Sequence, residues 1–290
     1  MRGIALVSCC LLGATAAAQL PDIATVEADL TVPKMGGTEP GPGKRVKQTL
    51  ESYAGTEVYH ALYLPTDWEP GRKYPILVEF AGNGPYKNKF EDISTGRVEG
   101  SKLGYGISGG KGYIWLCLPY LNSEGTANVT RWWGSKPDYE PQPTIKYCVK
   151  AVKSISATYW GDAKRMVLCG FSRGAIACNF IGLHDDEVAE LWKAFIPYSH
   201  YDGVHVGWPY PGADRAAALK RLQRLGDRPQ FICGEGGNAH LTARYLRETG
   251  VKGEFTIRGT GFRNHNDAWV LRPSPVRKEL REWLGKVMEK

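Results

Sequence analysis

Two segments of the chain, YPILVEFAG at 74–82 and GYIWLCLPYL at 112–121, are short apolar runs of the kind that form strands buried on both faces. Strands of that type need helices on each side of the sheet. From 143 onward the chain supplies them. Ile145, Cys148, Val149, Val152, Ile155 and Tyr159 recur at helical spacing, with Gly161 as a stop. Strand RMVLCGF, a helix from Arg173, a polar helix near 185–193 and strand AFIPYS follow. A helix near 214–224, strand QFICG, helix HLTARYLRETG and strand EFTIRG come next. The last helix opens with Ser274 as N-cap and Pro275 at its first position, and Val276, Leu280, Trp283, Leu284 and Val287 line one face. Before 74 the pattern is strand-only, in RVKQTLESY and EVYHALYLP. The order predicts a single α/β domain over 44–290, a mainly parallel central sheet flanked by helices on both faces. Two long polar loops, 83–110 and 122–143, interrupt it, and residues 19–43 read as an extended, Pro- and Gly-rich lead-in.

Within this frame VLCGFSRGAIACN, at 167–179, carries a G-x-S-x-G pattern between a strand and a helix. Such a turn strains the backbone of Ser172, and Gly170 and Gly174 remove side chains that would clash with strand and helix. It lifts the hydroxyl above the carboxyl end of the sheet, where open α/β sheets bind ligands. A serine hydroxyl is almost wholly protonated, so a nucleophilic Ser172 needs a base. Of the six histidines, His265 suits this role: it lies in a loop after the last strand and before the last helix. His60 reads as half-buried packing in a strand, His184 as a solvated helix end and His240 as an exposed helix start.

A carboxylate must then orient the imidazole and stabilise its charged form. Glu235 is the only carboxylate in the loop after QFICG, and Asp202, after the preceding strand, is the alternative. Asp267 is too close in sequence to His265 to reach its ring. An oxyanion needs two N–H donors. The amide of Arg173 would be one, and the FAGNGPY loop, with Gly82, Asn83 and Gly84, would give the other.

The strand order, the GFSRG turn, the glycine-rich oxyanion segment and the late histidine together resemble the α/β-hydrolase superfamily over 44–290. Within it the chain is similar to secreted single-domain esterases of the feruloyl/acetyl-xylan esterase and polyhydroxybutyrate depolymerase group. The resemblance implies Ser172 as nucleophile, His265 as base and a carboxylic ester as substrate, free or attached to polysaccharide. Relatives usually carry an aspartate three residues after the glycine ending the seventh strand. Here that position is Gly237, so the acid stays open between Glu235 and Asp202. A serine peptidase or amidase, and a catalytically silent fold that binds carbohydrate or cell wall, are the alternative readings.

The first 18 residues have Arg2, an apolar stretch from Ile4 to about Ala14 and then small residues, the layout of a secretory signal cut after Ala16 or Ala18. Secretion or export to a periplasm is therefore expected, with lipoprotein anchoring at Cys9 disfavoured by the short apolar stretch before it. Of seven cysteines, Cys9 and Cys10 would leave with the signal, and Cys117, Cys148, Cys169, Cys178 and Cys233 read as small buried packing residues with room for one bridge. The formal charge of +7 is spread along the chain without a basic run, which argues against a nucleic-acid partner, and no later segment is long and apolar enough for membrane insertion. His200, Asp202 and His205 match no metal-ligand spacing, and GISGGKG at 106–112 precedes a strand rather than a phosphate-binding helix. No cofactor is expected. Trp132, Trp133 and Tyr139 read as an aromatic wall for substrate or as packing of their loop, and His200 as pocket lining. Asn128 opens an N-V-T glycosylation sequon.

Overall fold

A computed structural model describes residues 20–289; the proposed signal segment lies outside them. The main sheet has eight strands: β1 (Arg45–Gln48), β2 (His60–Tyr63), β3 (Tyr74–Phe80), β4 (Ile114–Leu118), β5 (Gly161–Phe171), β6 (Ala194–Tyr198), β7 (Gln230–Gly234) and β8 (Phe255–Gly259). Their spatial order is β1-β2-β4-β3-β5-β6-β7-β8. β1 pairs antiparallel with β2 and β2 with β4; every later pairing is parallel. The mainly parallel sheet read from the sequence is therefore present. The helices are α1 (Leu103–Ser108), α2 (Gln142–Thr158), α3 (Arg173–Phe180), α4 (Asp186–Ala189), α5 (Arg215–Leu222), α6 (Asn238–Thr249) and α7 (Pro275–Glu289).

Strand alternation divides the core into two layers. Ile76, Val78 and Phe80 of β3 face a layer with Ile145 and Val152 of α2 and Ile176 of α3. Leu77 faces the opposite layer, with Ile107 of α1 and Leu280 and Leu284 of α7. The five described cysteines are buried and unpaired, as small packing residues. His60 is buried more completely than its strand pattern suggested, its Nδ1 lying 2.7 Å from the Tyr147 hydroxyl.

The parallel register brings the strand ends level. Phe80 pairs with Gly170, and Tyr198 with both Phe171 and Cys233. The next residues of each strand (Ala81 and Gly82, Ser172, Ser199, Glu235) thus emerge along one edge of the sheet.

The two long loops are more structured than their polar composition implies. The first holds a ribbon pairing Tyr86–Lys87 with Ile93–Ser94, and then α1. The second starts with Tyr120–Leu121 paired to Asn128–Val129. The lead-in docks rather than trailing free. Ile23 is buried, Asp22 pairs with Arg263 at 2.8 Å, and Asp29 pairs with Arg277.

Candidate functional site

The glycine spacing around Ser172 has a steric cause. A Cβ on Gly174 would lie 1.9 Å from the Phe80 carbonyl oxygen, and one on Gly170 would lie 2.2 Å from the Gly174 oxygen. Both glycines let α3 start directly against the ends of β3 and β5. Between them Ser172 adopts φ 54° and ψ −111°, a strained conformation for a non-glycine residue. Its amide donates to the Tyr198 carbonyl at 3.0 Å, which ties the turn to β6.

His265 Nε2 lies 3.1 Å from Ser172 Oγ, and its Nδ1 lies 2.7 Å from Glu235 Oε1. With a carboxylate at Nδ1, that nitrogen carries the proton and Nε2 is free to accept from the serine hydroxyl. Of the two carboxylates left open by the sequence, the structure brings Glu235 to the histidine. Asp202 is directed elsewhere. It is buried and gripped by Arg221 through bonds of 2.8 and 3.1 Å, a two-point ion pair inside the body. Asp267, also set aside, pairs with Lys102 Nζ at 2.7 Å.

Burial alone would raise the Glu235 carboxyl. The hydrogen bond and charge attraction of His265, its own backbone amide and the Ser199 hydroxyl outweigh that and hold it below the usual carboxylate range. Ser199 donates to Glu235 Oε1 at 2.8 Å and its oxygen lies 3.0 Å from His265 Nδ1. Asn238, at the start of α6, donates to the same Oε1 at 2.8 Å. Neither residue was singled out from the sequence. Ser199 sits at φ 87° just past β6, the same strand-end position that Glu235 holds on β7.

The histidine loop has its own anchor, also unforeseen. Asp92, buried in the first inserted ribbon, accepts the His265 amide at 3.0 Å and the Asn264 side chain at 2.9 Å. Asn88 and Asn266 donate to it as well, so its buried oxygens are hydrogen-bonded. Tyr198 donates to the Asn264 and Asn266 carbonyls from below. The imidazole is walled by Phe171, His200 and Tyr86, with ring centroids at 4.7, 5.3 and 5.5 Å. His200 thus stands at the site, and its pKa is lowered by burial and then by the neighbouring His265.

On the opposite side of Ser172, the loop after β3 runs through Gly82 and Asn83. A Cβ on Gly82 would lie 2.9 Å from the Phe171 ring, so glycine is required for the loop to come this close. The Asn83 side chain accepts the Trp132 amide at 2.8 Å, and the Gly84 amide is taken by the Thr130 carbonyl at 2.9 Å. That leaves the Gly82 and Asn83 amides, which have no hydrogen-bond partner among the described residues, as the loop's candidate donors. Beyond them a groove of 670 Å³ is lined by Pro85, Tyr86, Ile93, Thr95, Arg97 and Thr130.

Of the aromatic pair, Trp133 packs its loop, the second of the two readings the sequence left open. Trp133 is fully buried and stacks on Phe180 with centroids 4.3 Å apart. Trp132 is 9% exposed and packs on Trp133, Trp208 and Tyr210. Its edge, with Tyr139 and Arg131, borders a second depression of 530 Å³. Trp133 thus sits on Phe180 of α3, while Trp132 stays at the border of that depression. His200 and His205 both pack on the Trp208 ring, at 5.7 and 4.5 Å. Asn128, of the sequon, has its amide engaged with Tyr59 through bonds of 3.3 and 2.9 Å.

No family model and no curated protein matches the chain. Solved structures do. An S-formylglutathione hydrolase from Agrobacterium tumefaciens aligns with a TM-score of 0.55 and 15% identity, covering 87% of this chain and 98% of that one. Fungal esterases from Rhizomucor miehei align with a TM-score of 0.56 and 14% identity, covering 92% and 86%. Dipeptidyl peptidase 4 of Porphyromonas gingivalis gives a TM-score of 0.52 and 16% identity, covering 87% of this chain. The chain spans only part of some matches, 36% of that peptidase and 62% of a thermostable esterase. At these identities the likeness establishes the fold: this is an α/β-hydrolase fold.

Proposed function

We propose that this protein is a serine hydrolase that cleaves carboxylic esters through an acyl-enzyme. The observation that carries the reading is the hydrogen-bonded chain from Ser172 through His265 to Glu235, built on a strained turn at the end of a parallel sheet. Ser172 Oγ attacks the ester carbonyl while His265 Nε2 takes its proton. The oxyanion that forms is held by the Arg173 amide and by the Gly82 and Asn83 amides. His265 then returns the proton to the departing alcohol, leaving Ser172 acylated. Water repeats the sequence and releases the acid. Glu235 holds the imidazole with Nδ1 protonated and stabilises its charged form.

Two observations favour esters over peptides. Tyr86 and Ile93 are exposed at the rim of the 670 Å³ groove, and the Tyr86 ring lies 5.5 Å from that of His265, so space for a small ester adjoins the histidine. The alignment also spans nearly the whole of the S-formylglutathione hydrolase. The silent-fold alternative rested on the glycine at 237; a carboxylate placed two residues earlier, at Glu235, removes that motive. As part of the same proposal, the protein is exported after loss of its first 16–18 residues and acts on small or polysaccharide-linked esters.

The test is turnover of a nitrophenyl ester beside the matching nitroanilide, by wild type and Ser172→Ala. Ester turnover that vanishes in Ser172→Ala is expected. Anilide turnover of equal efficiency would replace esterase by amidase, and ester turnover surviving in Ser172→Ala would overturn the assignment.

A further inference from the structure

The side chain of Arg173 points away from the site and into the body, where it is fully buried. A buried guanidinium ordinarily has a carboxylate partner. Among the described residues Arg173 has none within ion-pair distance. It binds main-chain carbonyls instead: Trp132 at 2.6 Å, Gly82 at 2.9 Å, Gly96 at 3.2 Å and, more weakly, Ala81 at 3.5 Å. Its plane lies over the Tyr120 ring, 3.7 Å from the centroid, and the Tyr120 hydroxyl donates to Ala81 as well, at 3.1 Å. Burial pushes its pKa down to about 10, which still leaves it charged at neutral pH.

Two of these carbonyls, of Ala81 and Gly82, belong to the loop to which the proposed mechanism assigns oxyanion donors. A trans peptide points its carbonyl and its N–H in opposite directions. Fixing the Ala81 carbonyl therefore fixes the Gly82 N–H, and fixing the Gly82 carbonyl fixes the Asn83 N–H. The remaining bonds, to Gly96 and Trp132, fasten the two inserted loops behind that segment. One residue thus contributes its amide to the oxyanion site on one side and holds the opposing donors in place on the other. The loop's own side chains add one bond, the Asn83 side chain accepting the Trp132 amide at 2.8 Å.

We infer that the Arg173 guanidinium is the positioning residue of the oxyanion loop, holding the Gly82 and Asn83 amides in the orientation that stabilises the tetrahedral intermediate. The inference rests on the serine-hydrolase reading above. Arg45 provides an internal control. It is also buried, stacks on Trp115 and binds the carbonyls of Val98 and Glu99, but it touches no part of the oxyanion loop.

The experiment compares Arg173→Gln, Arg173→Lys and Arg45→Gln by ester kinetics, by thermal melting and by affinity for an alkyl boronate, which forms a tetrahedral adduct with the serine. Losing one oxyanion donor lowers kcat on the order of 100- to 1000-fold. Loosening two donors in Arg173→Gln is expected to lower kcat about 10- to 1000-fold, with KM within about threefold and boronate affinity falling in parallel. Arg45→Gln is expected to lower the melting temperature and leave kcat near wild type. Wild-type kcat and boronate affinity in a folded Arg173→Gln would overturn the proposal. So would equal kcat losses in Arg173→Gln and Arg45→Gln. Should Arg173→Gln not fold, Arg173→Lys decides: its ammonium cannot span the carbonyls of three loops, so wild-type kcat there also overturns the proposal. Absence of ester turnover and of boronate binding in wild type would instead remove the hydrolase reading itself.

Discussion

Replacing Glu235 by Gln separates the two tasks of a carboxylate beside a histidine, setting its tautomer and stabilising its charge. Three donors converge on Oε1: His265 Nδ1 at 2.7 Å, Ser199 Oγ at 2.8 Å and Asn238 Nδ2 at 2.8 Å. Oε2 is buried and has no partner among the described residues. A glutamine will therefore place its carbonyl oxygen at the Oε1 position and its NH₂ at the Oε2 position. The imidazole keeps its proton on Nδ1, and what is lost is the negative charge. At about 4 Å and an effective dielectric of about 20, that charge is worth about 4 kcal/mol to an imidazolium, or about 1000-fold in kcat. A substitution that also forced the wrong tautomer would cost about 10⁴-fold. Asp202→Asn gives the opposite signature. It breaks a buried pair with Arg221 and costs about 3–5 kcal/mol of stability, a fall in Tm on the order of 10 °C, with kcat retained well below the melt. The assay is steady-state ester hydrolysis at 25 °C beside thermal melting by circular dichroism. A 100-fold kcat loss in folded Asp202→Asn, with Glu235→Gln near wild type, would refute the assignment of the acid.

Three further outcomes are expected. Ser199→Gly relieves the φ of 87° but removes a hydroxyl from Glu235, so kcat should fall about 3- to 30-fold while Tm changes little; unchanged kcat would show the hydroxyl idle. Gly174→Ala places a Cβ 1.9 Å from the Phe80 carbonyl and should yield insoluble or strongly destabilised protein, whereas a wild-type melt would contradict the packing of α3 against β3. His60, whose pKa burial lowers to about 4, is neutral in the folded chain. The unfolded chain binds the extra proton, so stability is complete above about pH 6.5 and falls towards pH 4, by at most about 3 kcal/mol. Denaturant melts of wild type and His60→Phe across that window should show a shallower slope in the variant, and identical slopes would contradict it.

The sheet, the Ser172 turn and His265 were legible because each is carried by local pattern: apolar runs, helical periodicity and glycines two residues either side of a serine. The acid was not, because the deciding contact is remote. Glu235 and Asp202 both follow strands that end at the same edge, and what disqualifies Asp202 is Arg221, reaching back from α5. Helix α1 was hidden for a related reason. LGYGIS has poor helix propensity, but the buried Glu79 carboxylate accepts three amides at its start. Its glycines are also needed, since a Cβ on Gly104 would lie 2.2 Å from the Trp115 ring. Asp92, the Arg173 side chain and the inward turn of Trp133 share this character. A charge or an indole in a polar stretch reads as solvent-facing until the loop's path is known.

The nucleophilicity of Ser172 can be tested covalently. Purified protein is treated with a fluorophosphonate, and the adduct is counted by intact mass and located by peptide mapping, in wild type, Ser172→Ala and His265→Ala. One adduct per wild-type chain is expected, on Ser172, with none in Ser172→Ala and labelling slowed at least 100-fold in His265→Ala. A wild type that stays unlabelled, or that labels as Ser172→Ala does, would contradict it.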